Sequence, residues 1–333
     1  MGTDPLAFPE PDSYAVPPVP DDRPVFIPPA PSSVRRPEPI WRYLILFALT
    51  VASTMQAGGL HYVSFIVGFS NLVPAMSFAS LLLHGLWYSV SILAILGCHE
   101  LGHYYACRYY GVDSSRPYFL PMPFLLTGTL GAFIRIRSPF PGKRALFDIG
   151  IAGPIAGFLV ALPVLLMGMH MSTVVRVPAD FRGDLYELGE PLLFRAAEWL
   201  TFGTIPQGYS VNMHPMAFAA WFGLLATALN LFPIGQLDGG HISYAVLGRR
   251  STTVTLVMVL CLIGLTFVST SWLVWTGLTV AMLLAFGPHH PRTWDEEVPL
   301  DSSRLWLAAF AVLMFILCFT PAPIQPAAIL GRH

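Results

Sequence analysis

Cys98-His99-Glu100-Leu101-Gly102-His103 contains two histidines four residues apart with a glutamate directly after the first, inside a long apolar run. On a helix this spacing puts both imidazoles on one face, about 6 Å apart along the axis, close enough for both to bind one zinc ion at about 2.0–2.1 Å. Glu100 then falls beside the open coordination position. There a carboxylate can take a proton from metal-activated water and pass it to a leaving amine. Ionisable groups in a membrane helix each cost about 2.5–3.5 kcal/mol on insertion scales, so three of them in two turns need a role that offsets this cost.

A catalytic zinc normally takes three protein ligands. Of the 19 acids, only Glu100, Asp148 and Asp238 lie within or at the edge of apolar runs. Asp238 belongs to Asn230-Leu231-Phe232-Pro233-Ile234-Gly235-Gln236-Leu237-Asp238-Gly239-Gly240-His241, where a proline and three glycines interrupt a helical pattern. Broken backbone at membrane depth is tolerated only where it packs against protein or lines a polar cavity. Asp238 is therefore the expected third ligand. Asp148 opens the next apolar run, where an acid opposes the helix dipole, and capping is its expected role.

The elements that must position these groups are membrane helices. The chain of 333 residues is 54% hydrophobic and 11% charged, against about 25% charged in soluble domains. Its mean hydropathy is +0.61. Apolar runs near 41–60, 79–108, 145–170, 215–233, 252–269, 272–287 and 305–320 predict an all-α polytopic membrane protein. About six or seven transmembrane helices are expected, with a short membrane-associated β-hairpin. The stretch 61–78, broken by Gly68, Asn71 and Pro74, is open between an interfacial segment, a re-entrant one and a longer neighbouring helix.

Residues 1–39 hold 12 of the 31 prolines and predict a disordered cytosolic tail. The expected division is this tail, a membrane-embedded core over 40–290, and a C-terminal linker with a final transmembrane helix over 291–333. With the N-terminus inside, all of the 18 Lys and Arg except Arg176, Arg182, Arg195 and Arg332 fall on the cytosolic side. The metal would then lie toward the cytosolic side of the bilayer, below the headgroups. A net charge of -1 without a basic block excludes nucleic acid as an expected partner. The four cysteines, without a CxxC, read as reduced core residues. The absence of an Arg/Ser-rich leader points to a bacterial cytoplasmic membrane.

The set HELGH at 99–103, AGPIAG at 152–157 and NLFPIGQLDGGH at 230–241, in this order, resembles the site-2 protease family of intramembrane zinc metalloproteases. Gly128-Thr129-Leu130-Gly131-Ala132-Phe133 and the following Ile134-Arg135-Ile136-Arg137 resemble its branch without a PDZ domain. The loop over 172–214 is also too short for such a module. The resemblance implies one catalytic Zn2+ on His99, His103 and Asp238, with Glu100 as general base and Asn230 positioning substrate. It implies cleavage of a transmembrane protein substrate among membrane lipids, releasing a membrane-bound regulator. Gly153 and Gly157 are expected to permit close helix contact.

A transmembrane helix hides its amides in its own hydrogen bonds and must unwind before attack. Residues 129–137, β-branched and aromatic-rich, are expected to form an edge hairpin that pairs with unwound substrate, with Phe133 and Ile134 as substrate-binding positions. Two rivals share part of the pattern. A zinc transporter should carry a second helix rich in His or acids, and a prenyl-protein protease should carry a downstream glutamate ligand in an apolar span. Neither feature is present in the sequence.

Overall fold

The computed structural model describes residues 38–69, 75–178, 186–288, 290 and 293–326. The Pro-rich tail over 1–37 and the Asn71 and Pro74 interruption lie outside them. Among the described residues, four helical segments are long and apolar enough to cross a membrane: Ile40–Val67, Phe78–Tyr109, Lys143–His170 and Asp238–Thr266. Shorter apolar helices follow the predicted runs, so the chain is an all-α polytopic membrane protein with small strand pairs.

Helix α1 (Ile40–Val67) runs straight through His61, so the open stretch is in part a lengthening of the first span. Its partner α2 (Phe78–Tyr109) has 32 residues, about 48 Å of helix, with Ser77 capping it by accepting from the Ser80 N–H. The two meet through small residues. A Cβ on Gly85 would lie 1.9 Å from the Met55 carbonyl oxygen, and Thr54 bonds Ser89 across the interface at 2.7 Å.

Between α2 and α3 (Lys143–His170) the chain forms β1 (Tyr118–Pro121) and β2 (Thr129–Phe133), paired antiparallel from Tyr118 against Phe133 to Pro121 against Thr129. A hairpin is thus present, but the expected span of 129–137 is corrected: its first strand lies upstream, and only Ile136 beyond Phe133 makes a bridge, to Ser114. The turn between the strands is held at depth by α1 and α2. His61 Nε2 bonds the Leu126 carbonyl at 2.9 Å, and Tyr88 donates its hydroxyl to the Thr127 carbonyl at 2.9 Å. Backbone carbonyls at this depth need such partners.

After α3 come β3 (Thr173–Arg176), β4 (Tyr186–Leu188), α4 (Leu192–Phe202) and β5 (Tyr209–Asn212), with β3 paired to β5. Helix α5 (Pro215–Asn230) follows, and α6 (Asp238–Leu247) begins after the predicted break. Then come α7 (Ser251–Thr266), α8 (Trp272–Phe286), α9 (Ser302–Cys318) and β6 (Ile324–Pro326), which pairs with β4. The main core gathers Phe158 and Leu165 of α3, Trp221 and Leu224 of α5, and Met314 of α9. The buried Trp221 donates its indole N–H to the Gly189 carbonyl at 2.7 Å.

Candidate active site

The HExxH segment lies in the last third of α2, as predicted, with His99, Glu100 and His103 at 5%, 7% and 7% exposure. Asp238 is the first residue of α6, brought to the same point by the break after α5. In that break Gly235 takes φ +53°, and a Cβ on Gly239 or Gly240 would strike backbone carbonyls at 2.1 and 2.2 Å. The glycines therefore let the chain fold back tightly enough to deliver the carboxylate.

Three atoms converge there. His99 Nε2 lies 3.1 Å from Asp238 Oδ2, His103 Nε2 lies 3.2 Å from the same oxygen, and the two nitrogens are 3.1 Å apart. A tetrahedral ion with bonds of about 2.0–2.1 Å has ligand atoms about 3.3 Å apart along each edge, so the triangle matches one face of a zinc site. The donor chemistry agrees. His103 Nδ1 is 2.7 Å from the Ile149 carbonyl, which can only accept, so Nδ1 carries a proton and Nε2 is the ring nitrogen left to face a metal. Among the described residues no other His, Cys, Asp and Glu side chains form such a cluster, and no glutamate serves as third donor.

Glu100 sits against His99, His103 and Asp238, and its carboxylate also meets the backbone N–H of Ile134. Asn230, the last residue of α5, places Nδ2 3.4 Å from His99 Nε2. The sequence-derived set is therefore brought together with one exception. Ile134 reaches the site through its backbone, while its side chain packs with Cys107, Val112 and Ile149. Phe133 is 43% exposed and stacks on Tyr118 at 5.3 Å between ring centroids.

The glycines of AGPIAG do more than let helices approach. A Cβ on Gly153 would lie 2.1 Å from His103 Nε2, and one on Gly157 would lie 3.0 Å from His99 Cβ. Each glycine makes a seat for one imidazole, which the spacing alone does not reveal. Asp148 is not a cap, because α3 begins five residues earlier and Gly142 is its N-cap. Its carboxylate instead meets Arg304 of α9 and the Tyr110 hydroxyl. His241, one turn after Asp238, bonds His290 at 2.7 Å, and His290 stacks on Tyr244. Neither pairing is readable from sequence, since each joins residues about 40 or more positions apart.

A membrane-embedded bundle carrying an HExxH helix and an aspartate from a broken helix defines the class of integral-membrane zinc metallopeptidases. The sequence profile of peptidase family M50 matches residues 87–270, and the chain belongs to that family. It is 29% identical over 262 residues to the "Probable zinc metalloprotease EGY2, chloroplastic" of Arabidopsis thaliana, covering 76% of this chain and 45% of that protein. It is 30% identical over 294 residues to the "Probable zinc metalloprotease EGY3, chloroplastic" of Oryza sativa subsp. indica, covering 84% of this chain and 48% of that one. The chain spans slightly under half the length of these relatives.

Proposed function

We propose that the chain is an intramembrane zinc-dependent endopeptidase that hydrolyses a peptide bond in or near the transmembrane segment of a membrane-anchored protein, acting in regulated intramembrane proteolysis. The observation that carries this reading is the triangle of His99 Nε2, His103 Nε2 and Asp238 Oδ2, with sides of 3.1, 3.1 and 3.2 Å, beside a buried glutamate. Zinc held there supplies a Lewis acid that polarises the scissile carbonyl and lowers the pKa of water. His99, His103 and Asp238 are its ligands. Glu100 receives the proton of the attacking water on its carboxylate and delivers it to the departing amine.

Asn230, beside His99, holds the substrate carbonyl through its amide. Strand β2 has no partner on its second edge among the described residues, and the chain passes from Phe133 to the Ile134 N–H at Glu100. This supports an unwound substrate that adds to β2 as a further strand, with Phe133 and Ile134 at the join. In this reading residues 40–290 are the protease core, flanked by the tail over 1–39 and the linker and last helix over 291–333. The proposed location is a bacterial cytoplasmic membrane with the site toward the cytosol. The excess of Lys and Arg at the end carrying Tyr110, Lys143 and Arg249 supports that sidedness.

The test is Glu100→Gln in the full chain, assayed with a membrane-anchored reporter and with bound zinc measured in parallel. Zinc is expected to stay at one per chain while cleavage falls at least about a thousandfold, as for loss of a general base together with its positioning of water. Wild-type cleavage by that variant would overturn the assignment.

A further inference from the structure

Arg304 lies outside the stretch matched to the peptidase family, on α9, yet it contacts α3 and the C-cap of α2, the helix that carries His99 and His103. Its Nε donates to Asp148 Oδ1 at 2.9 Å, and a second guanidinium nitrogen donates to Asp148 Oδ2, a two-pronged pairing with fixed direction. The same carboxylate accepts the Tyr110 hydroxyl, and Arg304 also reaches that hydroxyl at 3.3 Å. Asp301, the N-cap of α9, accepts from the Arg304 backbone N–H at 3.0 Å and pairs with its guanidinium, so the arginine is held from both sides. Arg304 and Asp148 side chains are only 21% and 24% exposed.

The position of this cluster gives it a consequence for the metal. Asp148 is the residue before Ile149, whose carbonyl accepts a hydrogen bond from His103 Nδ1 at 2.7 Å. Tyr110 caps the C-terminus of α2, seven residues after His103, about two turns. Helices α2 and α3 are therefore joined at two successive α3 residues, once through Tyr110 and Asp148 and once through His103 and Ile149. Burial, and then Asp148 alongside, push the Tyr110 phenol above its ordinary value, which keeps it protonated as the donor.

We infer that Arg304 is a positioning residue: by fixing Asp148 against Tyr110 it sets the register of α3 on α2 and so aims the Ile149 carbonyl that orients His103 toward the metal. This rests on the reading of His103 as a ligand. The last helix then acts as a strut for the metal centre as well as an added span. Groups that orient a metal-bound histidine typically change metal affinity or activity 10- to 100-fold when removed, and Arg304 acts one step further out. The expected effect is thus near the low end, about tenfold in zinc affinity.

The experiment uses the full chain in detergent, with zinc affinity read by chelator competition, the ligand field read from the visible spectrum of the cobalt-substituted protein, and thermal unfolding of the chelator-treated protein measured separately. Arg304→Ala and Asp148→Asn are each expected to weaken zinc about tenfold, shift the cobalt bands and lower kcat with KM within about twofold. Arg304→Lys, which keeps the charge but not the fork, should recover part of the affinity. Arg249→Ala, which removes an exposed arginine paired with Glu296 at 3.6 Å and far along the chain from the Arg304 cluster, should change none of these. Wild-type zinc affinity and cobalt spectrum in Asp148→Asn, with only thermal stability reduced, would overturn the inference even if Arg304→Ala fails to fold. His103→Ala separates the two readings: it must abolish tight zinc binding, and if it does not, the ligand assignment itself fails.

Discussion

The position that a methyl group at residue 153 would take is already occupied by His103, whose Nε2 would be 2.1 Å from it. Turning the ring away would break the Nδ1 bond to Ile149, so Gly153→Ala must displace either α3 or the His103 side chain. Overpacking of this kind costs about 1–3 kcal/mol in a core, and here the strain falls on the nitrogen proposed to bind the metal. Gly153→Ala is expected to lose most bound zinc and at least about a hundredfold in cleavage, whereas Gly157→Ala, with its contacts at 3.0 and 3.3 Å, keeps zinc and loses less. Metal content by mass spectrometry beside reporter cleavage checks this; equal zinc in both variants would refute the seating role. The HExxH residues and Asp238 were legible in the sequence because their signal is local: a rare spacing, and an acid within an interrupted apolar run. The glycine seats and the Arg304 pairing were not, because each is defined by a residue on another helix.

A two-stranded hairpin at membrane depth exposes backbone donors and acceptors that lipid cannot satisfy. Among the described residues β1 and β2 pair only with each other and the tip is held by His61 and Tyr88, so the second edge of β2, next to the Ile134 N–H at Glu100, is free of a strand partner. The alternation over 129–137 announced a strand but not its partner, since Pro121 and Pro123 obscure the pattern of the first strand and the turn depends on Gly128 at φ +70°. The prediction belongs to this edge. Phe133→Pro removes an N–H and fixes φ while leaving His99, His103 and Asp238 untouched. Cleavage of a transmembrane reporter is expected to fall about tenfold or more with zinc content unchanged, because main-chain pairing supplies the affinity in strand addition. Unchanged turnover in that variant would reject the added-strand mode of substrate binding and leave the metal site standing.

Contacts sort the ends of the helices into two groups. At one end Tyr110, Asp148 and Arg304 meet, and Lys143 donates to the Glu296 and Val298 carbonyls at 3.0 and 3.2 Å. At the other end Asn212 bonds the Phe65 carbonyl, β3 pairs with β5, and β4 pairs with β6. The path of the chain between these groups is the one that the apolar runs predicted. The small strand pairs and α4 were less legible, because three- and four-residue strands carry little periodicity. The first group is rich in Lys and Arg and the second is poor in them, which by the positive-inside rule supports the proposed cytosolic placement of the first group. Single cysteines at Arg249 and at Ser210, introduced into a chain with Cys98, Cys107, Cys261 and Cys318 replaced by serine or alanine, test this in intact cells. A membrane-impermeant maleimide is expected to label Ser210→Cys directly and Arg249→Cys only after permeabilisation. The opposite pattern would place the peptidase centre on the outer side, and the substrate bond it reaches would then lie near the outer leaflet.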